Sequence, residues 1–243
     1  MTNMLPSFSI VIPTYQRKHE VTRAIRSVLD QDYTGAVEVI VVDDGSTDGT
    51  VEHLEMMFGG PFTKVKIEKH EVNKGKTFAR NTVLRATTNE WVVQLDSDDC
   101  LHPLYLSHFA RLIAENPDTK LFTCGAAVYQ NRDRWFKTRS AFVPQMGEKF
   151  ASGRIGTGSF VFHKSIAWEI PESKDAYGLD GCFSHLVQEA IPEIKELYGQ
   201  TPEGHWKALG NPFGDDYALF FKLTRDNQPV GIDLPLYLQN VHL

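Results

Sequence analysis

The feature that most constrains this chain is a short apolar segment, residues 92–95, that leads directly into Asp96, Asp98 and Asp99. Burial of such a strand fixes three carboxylates at one of its ends. Carboxylates at close range repel one another, and their oxygens are the ligands that Mg²⁺ and Mn²⁺ prefer. The segment therefore indicates a divalent-cation site that carries phosphates. The alternative is an acidic turn before a helix near His102, because Asp and Ser also start helices.

Two earlier apolar segments also end in polar residues: Pro13, Thr14 and Tyr15 follow strand 8–12, and Asp43 and Asp44 follow strand 37–42. Segments with helical periodicity separate the strands. The predicted elements are strand 8–12, helix 18–31, strand 37–42, helix 48–57, edge strand 64–69, helix 77–86, strand 91–95, helix 102–115 and strand 121–123. Such alternation predicts parallel strands with helices on both faces, and a ligand at the carboxyl ends of the strands.

The basic turn 73–76 contains Lys74, Gly75 and Lys76 but lacks the G-x-x-x-x-G-K-[ST] spacing of a phosphate loop. A solvated turn explains it equally well.

The pattern changes after about residue 125. Residues 132–139 are basic and aromatic, residues 153–158 are rich in glycine, and residues 160–163 form a short apolar strand. We expect a helix within 179–197 and another over 214–223, whose first-turn acids also complement the helix dipole. Two closing strands are predicted at 230–234 and 236–238. The tryptophans of this half are candidates for sugar stacking or for the core, with a core role expected for at least two of Trp135, Trp168 and Trp206.

Composition limits the partners. A chain of 243 residues with a net charge of -6 and a pI of about 5.8 lacks the basic character of nucleic-acid binders, so we expect no nucleic-acid partner. The three cysteines are far apart without C-x-x-C spacing, which favours a reducing cytoplasm over a disulfide framework. No apolar segment is long enough to span a bilayer, which leaves peripheral membrane contact open.

Four motifs in order give the chain a family resemblance: residues 10–15, residues 41–50, residues 73–81 and residues 95–99. Together they resemble family 2 inverting glycosyltransferases with the GT-A fold, closely over residues 7–125 and again over residues 214–223. The resemblance implies a Rossmann-like, mostly parallel twisted α/β sheet with helices on both faces and an acceptor-side C-terminal extension. It also implies a nucleotide-sugar-binding half at 1–125 and an acceptor-binding and catalytic-base half at 126–243 of the same domain.

The implied activity is transfer of a sugar from a nucleotide diphosphate donor, expected to be a UDP-sugar, to a hydroxyl of a carbohydrate or glycolipid acceptor, in surface polysaccharide or glycoconjugate synthesis. The implied cofactor is Mn²⁺ or Mg²⁺. In this sequence the resemblance assigns metal binding to Asp96, Asp98, Asp99 and His242, and nucleotide binding to Pro13, Thr14, Tyr15, Asp43, Asp44, Arg80, Asp96 and Ser97. Two of these positions have structural alternatives: Arg80 as a helix-to-sheet contact, and His242 as a surface residue.

Inversion in one displacement needs a base on the acceptor side. Asp216 resembles the family's base, which is the second acid of a Glu-Asp pair. Here the pair is Asp215-Asp216, so the choice between the two acids stays open.

Two other functions are consistent with parts of the sequence. Residues 96–100 partly match the strand end of phosphohydrolases that use an aspartate nucleophile, in which Asp96 would attack phosphate. That function leaves the motifs at residues 13–15 and 43–46 unexplained. A nucleotide-sugar-binding module without turnover is the other alternative.

Overall fold

Strand β1 (Phe8–Thr14) shows how one sheet organises the chain, because its side chains alternate between two cores. The computed structural model describes residues 5–61, 63–130, 134–146, 156–169, 198–200, 206–208 and 215–241. Ile10 and Ile12 contribute to one apolar cluster, and Val11 contributes to a second. A strand that is buried on both faces needs helices on both sides of its sheet.

The remaining elements follow the predicted alternation through β4. The helices are α1 (Lys18–Leu29), α2 (Thr50–Phe58), α3 (Lys76–Ala86), α4 (Tyr105–Glu115) and α5 (Asp215–Asp226). The other strands are β2 (Val37–Asp43), β3 (Val65–Lys69), β4 (Trp91–Gln94), β5 (Cys100–Leu101), β6 (Leu121–Gln130), β7 (Arg134–Arg139), β8 (Phe160–His163), β9 (Tyr198–Gln200), β10 (Trp206–Ala208) and β11 (Val230–Val241).

One large sheet has the order β3-β2-β1-β4-β8-β6-β11-β5, and β7 pairs with β6. Strands β3, β2, β1, β4, β6 and β11 run in one direction, whereas β8, β5 and β7 run in the other. The mostly parallel α/β sheet is therefore confirmed, as is the edge position of β3. Strands β9 and β10 form a separate antiparallel pair.

The second half of the chain departs from the predicted strands. The closing strands 230–234 and 236–238 are one strand, β11, whose register shifts on both sides of Pro235. Proline lacks the N–H of a ladder but has an extended-compatible φ, so it shifts the pairing without ending the strand. The proposed division at residue 125 falls inside β6, so the two halves share a strand, and β8 of the second half pairs with β4 of the first.

The helices cover the two faces of the sheet. Helices α1 and α4 pack in the cluster with Ile10, while α3 and α5 pack in the cluster with Val11. Leu219 and Phe220 of α5 are fully buried there. No helix in the described residues is both long enough and apolar enough to cross a membrane.

Several predictions concern residues that the structure describes only in part. The helix expected within 179–197 lies outside the described residues, as does the side chain of Trp206. Trp135 is 60% exposed, which agrees with a binding role better than with a core role. Trp168 is partly buried and packs against the apolar cluster that contains Val11. Cys100 and Cys124 are free thiols, and Cys182 lies outside the described residues.

Candidate active site

A cavity of about 340 Å³ opens where β1, β2 and β4 end. Its position at the carboxyl edge follows from the parallel order of these strands. Most of the residues selected from the sequence line it, namely Pro13, Thr14, Tyr15, Asp44, Asp96, Ser97, Asp98 and Asp99. Five other lining residues were not assigned to the site from the sequence, although Lys76 lies in the basic turn and Ala79 in the 73–81 motif. They are Arg17, Lys76, Ala79, Gln239 and Asn240.

Asp44 is held in place by the turn that precedes α3. Its carboxylate accepts hydrogen bonds from the backbone N–H groups of Lys74 at 3.0 Å and Gly75 at 2.7 Å. Nδ1 of His70 lies 2.7 Å from Oδ1, and Nε2 of the same ring lies 3.0 Å from the Thr82 hydroxyl. A carboxylate offers roughly four acceptor positions, so Asp44 keeps capacity toward the cavity. The basic turn 73–76 thus orients an acceptor group, and His70 supports it from behind.

Asp43 and Thr14 lie side by side at the ends of β2 and β1. Asp43 is fully buried and accepts a 2.8 Å hydrogen bond from the Ser46 N–H through Oδ1. Its other oxygen and the Thr14 hydroxyl are buried without a hydrogen-bond partner among the described residues. Buried polar atoms are nearly always satisfied, so this pair marks a position that a ligand or a water completes.

Cations surround the carboxylates of the β4 end. Arg80 is buried on α3 and donates to Asp96 at 3.1 Å, while Nζ of Lys76 lies 3.7 Å from the same oxygen. Arg17 contacts Asp98 at 2.8 Å. The buried guanidinium of Arg80 joins a helix to the sheet and also contacts a carboxylate of the cavity, while its part in nucleotide binding stays a prediction.

Asp99 faces β11 rather than its acidic neighbours. It is 3% exposed, and it accepts hydrogen bonds from the Tyr237 hydroxyl and from the Asn240 N–H at 2.6 Å. Burial raises the pKa of Asp99 well above its usual range, repulsion from Asp96 and Asp98 adds to this, and the two hydrogen bonds oppose it. This geometry favours Asp96 and Asp98 over Asp99 as metal ligands.

The glycine-rich segment provides the space for Tyr237. A Cβ atom at Gly156 would lie 2.7 Å from the Tyr237 ring, and one at Gly158 would lie 2.4 Å from it. The Gly158 carbonyl in turn accepts a 2.9 Å hydrogen bond from the buried hydroxyl of Tyr105. The glycines had no assigned role from the sequence, and in the structure they leave room for the Tyr237 ring beside Asp99.

The donor set fits a divalent cation that also binds phosphate. The described residues contain no group of three or more His, Cys, Asp or Glu side chains that could hold a metal ion. Mg²⁺ is commonly held by one or two carboxylates together with substrate phosphates, which the hard oxygens of Asp96 and Asp98 beside an open cavity match. His242 lies outside the described residues, so its part in this site stays a prediction.

Helix α5 begins at Asp215 and Asp216, the two acids expected to include the base. Their side chains lie outside the described part of the chain. The helix itself is anchored by Leu219 and Phe220 on the α3 side of the sheet.

A second cavity of about 210 Å³ adjoins the first and shares Asp98, Gln239 and Asn240 with it. Its other lining residues are Arg23, Cys100, Tyr129 and Leu238. Burial raises the pKa of the Cys100 thiol, and the nearby charge of Arg23 opposes this shift. The β11 segment 239–240 therefore forms part of the wall of both cavities.

The chain is similar to known proteins both in sequence and in fold. The family model described as glycosyl transferase family 2 matches residues 9–170, which is more than half of the chain and extends beyond the close resemblance at 7–125. An uncharacterized glycosyltransferase of Haemophilus influenzae is 34% identical over 110 residues, which are 45% of this chain and 35% of that protein.

Two solved structures have a similar fold at low identity. The 1–349 fragment of Staphylococcus aureus TarS aligns with a TM-score of 0.61 at 20% identity, covering 96% of this chain and 60% of that one. The mannosyltransferase PcManGT of Pyrobaculum calidifontis, in complex with GDP-Man and Mn²⁺, aligns with a TM-score of 0.58 at 18% identity, covering 98% and 57%. The chain thus spans little more than half of these structures. The expected GT-A fold is confirmed.

Proposed function

The chain belongs to glycosyltransferase family 2, and we propose that it moves a sugar from a nucleotide diphosphate donor to an acceptor hydroxyl with inversion at the anomeric carbon. One observation carries this proposal: the cavity joins Asp96 and Asp98 to the polar ends of β1 and β2. A phosphohydrolase that uses Asp96 would leave the β1 and β2 ends without a function. The proposal also includes a cytoplasmic location, which the spacing of the cysteines favours.

The nucleoside occupies the end of the cavity formed by residues 13–15 and Asp44. Tyr15 is 42% exposed, so its aromatic ring can offer a face on which a base stacks. The oriented carboxylate of Asp44 accepts a base N–H, which suits the uracil of a UDP-sugar. Solved TarS complexes with UDP and with UDP-GlcNAc, and the GDP-Man complex of PcManGT, support the donor class.

The diphosphate lies beside Asp96 and Asp98, which would hold Mn²⁺ or Mg²⁺. A divalent cation bound there supplies Lewis-acid stabilisation of the charge on the departing nucleotide. The chain's own cations assist at the same place, because Lys76 and Arg17 line the cavity. The carboxyl of Asp99 keeps β11 against the site.

Helix α5 carries the proposed base. Asp216, or its neighbour Asp215, accepts the proton of the acceptor hydroxyl as that oxygen attacks the anomeric carbon opposite the leaving phosphate. The partial positive charge at a helix N-terminus favours an acidic residue in the first turn. The acceptor is a carbohydrate or glycolipid, and the pathway is surface polysaccharide or glycoconjugate synthesis.

Calorimetric titration with UDP and GDP, each with and without Mn²⁺, tests the donor assignment. We expect UDP to bind in a Mn²⁺-dependent way and Asp98→Ala to weaken this binding at least about tenfold, because it removes one of the two carboxylates that would hold the metal. Asp118→Ala, an exposed acid after α4, is the matched control and should bind like the wild type. Absence of binding by either nucleotide under any metal condition would contradict the proposal.

A second variant separates transfer from binding. Asp216→Asn should keep UDP affinity and lose transfer by about two orders of magnitude or more, because general-base catalysis contributes that much. Asp226→Asn, at the exposed far end of α5, is the control and should keep both. UDP binding with no transfer by the wild type to any acceptor tested would instead indicate a binding module without turnover.

A further inference from the structure

Arg17 forms an ion pair with Asp98, one of the two cavity carboxylates proposed to hold the metal. Its guanidinium lies 2.8 Å from Oδ1 of Asp98 and 3.4 Å from the hydroxyl of Ser97. The Asp98 side chain is 12% exposed and that of Arg17 is 41% exposed, so the arginine contacts Asp98 from the solvent side. A divalent cation at Asp98 would stand next to this guanidinium, and two cations so close repel each other.

The backbone of Arg17 is held on both sides. Gln16 has a left-handed φ of 53° and bonds through its N–H to Ser46 at 2.8 Å and through its side chain to Thr47 at 2.8 Å. Lys18 reaches the Asp48 carbonyl at 3.3 Å. The β2–α2 loop therefore fixes the position of the Arg17 backbone while its long side chain remains able to rotate.

The charges of the site favour a ligand that is neutral overall over a metal ion alone. Asp96 already faces Arg80 and Lys76, and Asp98 faces Arg17. A metal ion that arrives alone meets these positive groups, and a diphosphate that arrives alone meets the carboxylates. A metal ion together with a nucleoside diphosphate ester is close to neutral, so both are accommodated if Arg17 leaves Asp98 for a phosphate.

We propose that Arg17 is a placeholder cation: it neutralises Asp98 when no metal is bound and moves to the diphosphate when the metal and the nucleotide bind. This inference rests on the proposed function: its first step needs only the proposed metal site at Asp98, and its second step also needs the nucleotide diphosphate donor. Its consequence is strong coupling, in which the metal binds weakly without nucleotide and the nucleotide binds weakly without metal. Arg17 acts here as a positioning residue, because its first effect is on the carboxylate that receives the metal.

The first test uses Mn²⁺ alone, followed by the loss of the free-ion signal in electron paramagnetic resonance. Arg17→Gln should bind Mn²⁺ about fivefold more tightly than the wild type, which corresponds to one partly exposed ion pair. Arg17→Lys, which keeps the charge, should bind like the wild type. Arg26→Gln removes an exposed arginine from α1, the helix that begins directly after Arg17, and serves as the control. Equal or weaker Mn²⁺ binding by Arg17→Gln, or no binding by any of these proteins, would overturn the proposal.

The second test uses UDP at saturating Mn²⁺ and the same proteins. Arg17→Gln should bind UDP several-fold more weakly, since it lacks the guanidinium that moves to the phosphates, while Arg26→Gln should be unchanged. Unchanged UDP affinity in Arg17→Gln would overturn the movement of Arg17. Tighter Mn²⁺ binding by Arg17→Gln, combined with no UDP binding by the wild type, would refute the proposed function and leave the neutralising role of Arg17 standing.

Discussion

The position of the Asp99 carboxylate depends on one hydroxyl group, that of Tyr237. In Tyr237→Phe the buried carboxyl keeps the Asn240 N–H but loses its other donor. We expect the free energy of unfolding to fall by about 1–3 kcal/mol, the usual effect of leaving a buried polar group unsatisfied. Because the site carboxylates follow the position of β11, UDP affinity in Mn²⁺ should fall as well. Urea unfolding and calorimetry measure the two effects.

Tyr33→Phe is the control, because it removes a hydroxyl that donates to the Pro6 carbonyl away from the cavity. It should lower stability without changing UDP affinity. Equal effects of both variants on UDP affinity would contradict a specific role for the hydroxyl of Tyr237.

At this scale the sequence predicts residues whose position depends on the end of their own strand. Thr14, Asp44 and Asp98 reach the cavity because each ends a parallel strand or lies within four residues of its end. Tyr237 and Asn240 were missed because they reach Asp99 through the pairing of β11 with β5 and β6, across 138 residues of sequence in the case of Tyr237. No local pattern contains that pairing.

Among the connecting segments, the β2–α2 loop depends on two glycines of similar conformation and different surroundings. Gly45 has a φ of 78° and Gly49 a φ of 80°. A Cβ at Gly45 would lie 2.6 Å from the Asn73 nitrogen, whereas one at Gly49 would meet only a Glu52 oxygen at 4.0 Å.

Both alanine variants carry the backbone strain of a left-handed residue, about 1–3 kcal/mol. Gly45→Ala should lose more stability than Gly49→Ala and should also bind UDP more weakly, because it displaces the turn that orients Asp44. Chemical denaturation and UDP titration of the two variants test this. Equal losses would show that the contact with the 72–73 backbone is unimportant.

The elements themselves were predictable where a single periodicity runs without interruption. The β/α order through β4 follows from alternating apolar patterns, and the helices on both faces follow from strands that are apolar throughout. The join at Pro235 and the antiparallel insertion of β8 between β4 and β6 were not predictable. Both depend on which strands become neighbours, and each strand alone is consistent with several partners.

At the scale of the whole molecule, Glu38 connects β2 to its neighbouring strands. It lies near the N-terminal end of β2, which is the end away from the cavity. It accepts hydrogen bonds from Ser9 on β1, Lys66 on β3 and the Thr88 N–H before β4. Burial alone would raise the pKa of Glu38, but these hydrogen bonds outweigh it and lower the pKa to about 2. The ionised carboxylate therefore stabilises the start of the sheet.

This lowered pKa predicts a loss of stability in acid. The folded pKa lies below the unfolded value of 4.5, so the contribution is complete above that pH and is lost as the pH falls toward 2. We expect Glu38→Gln to lower the free energy of unfolding at neutral pH by about 1–2 kcal/mol. This value is modest because solvent screens the ion pair with the exposed Lys66. Urea unfolding at intervals of about one pH unit measures this effect. The difference in free energy of unfolding between wild type and Glu38→Gln should shrink as the pH falls from about 5 to about 2. A difference that does not change with pH would contradict this role.

The late position of β11 in the sequence has a consequence for synthesis. Strands β1 to β4 leave the ribosome well before residues 230–241, so the early strands exist for a time without the strand that completes the site. Until β11 docks, the acidic edge lacks Tyr237, and both cavities lack the wall formed by Gln239 and Asn240. A nascent chain can therefore have most of its sheet without a finished site. Competence to bind the donor would then arise abruptly, with the strand that is made last among those described.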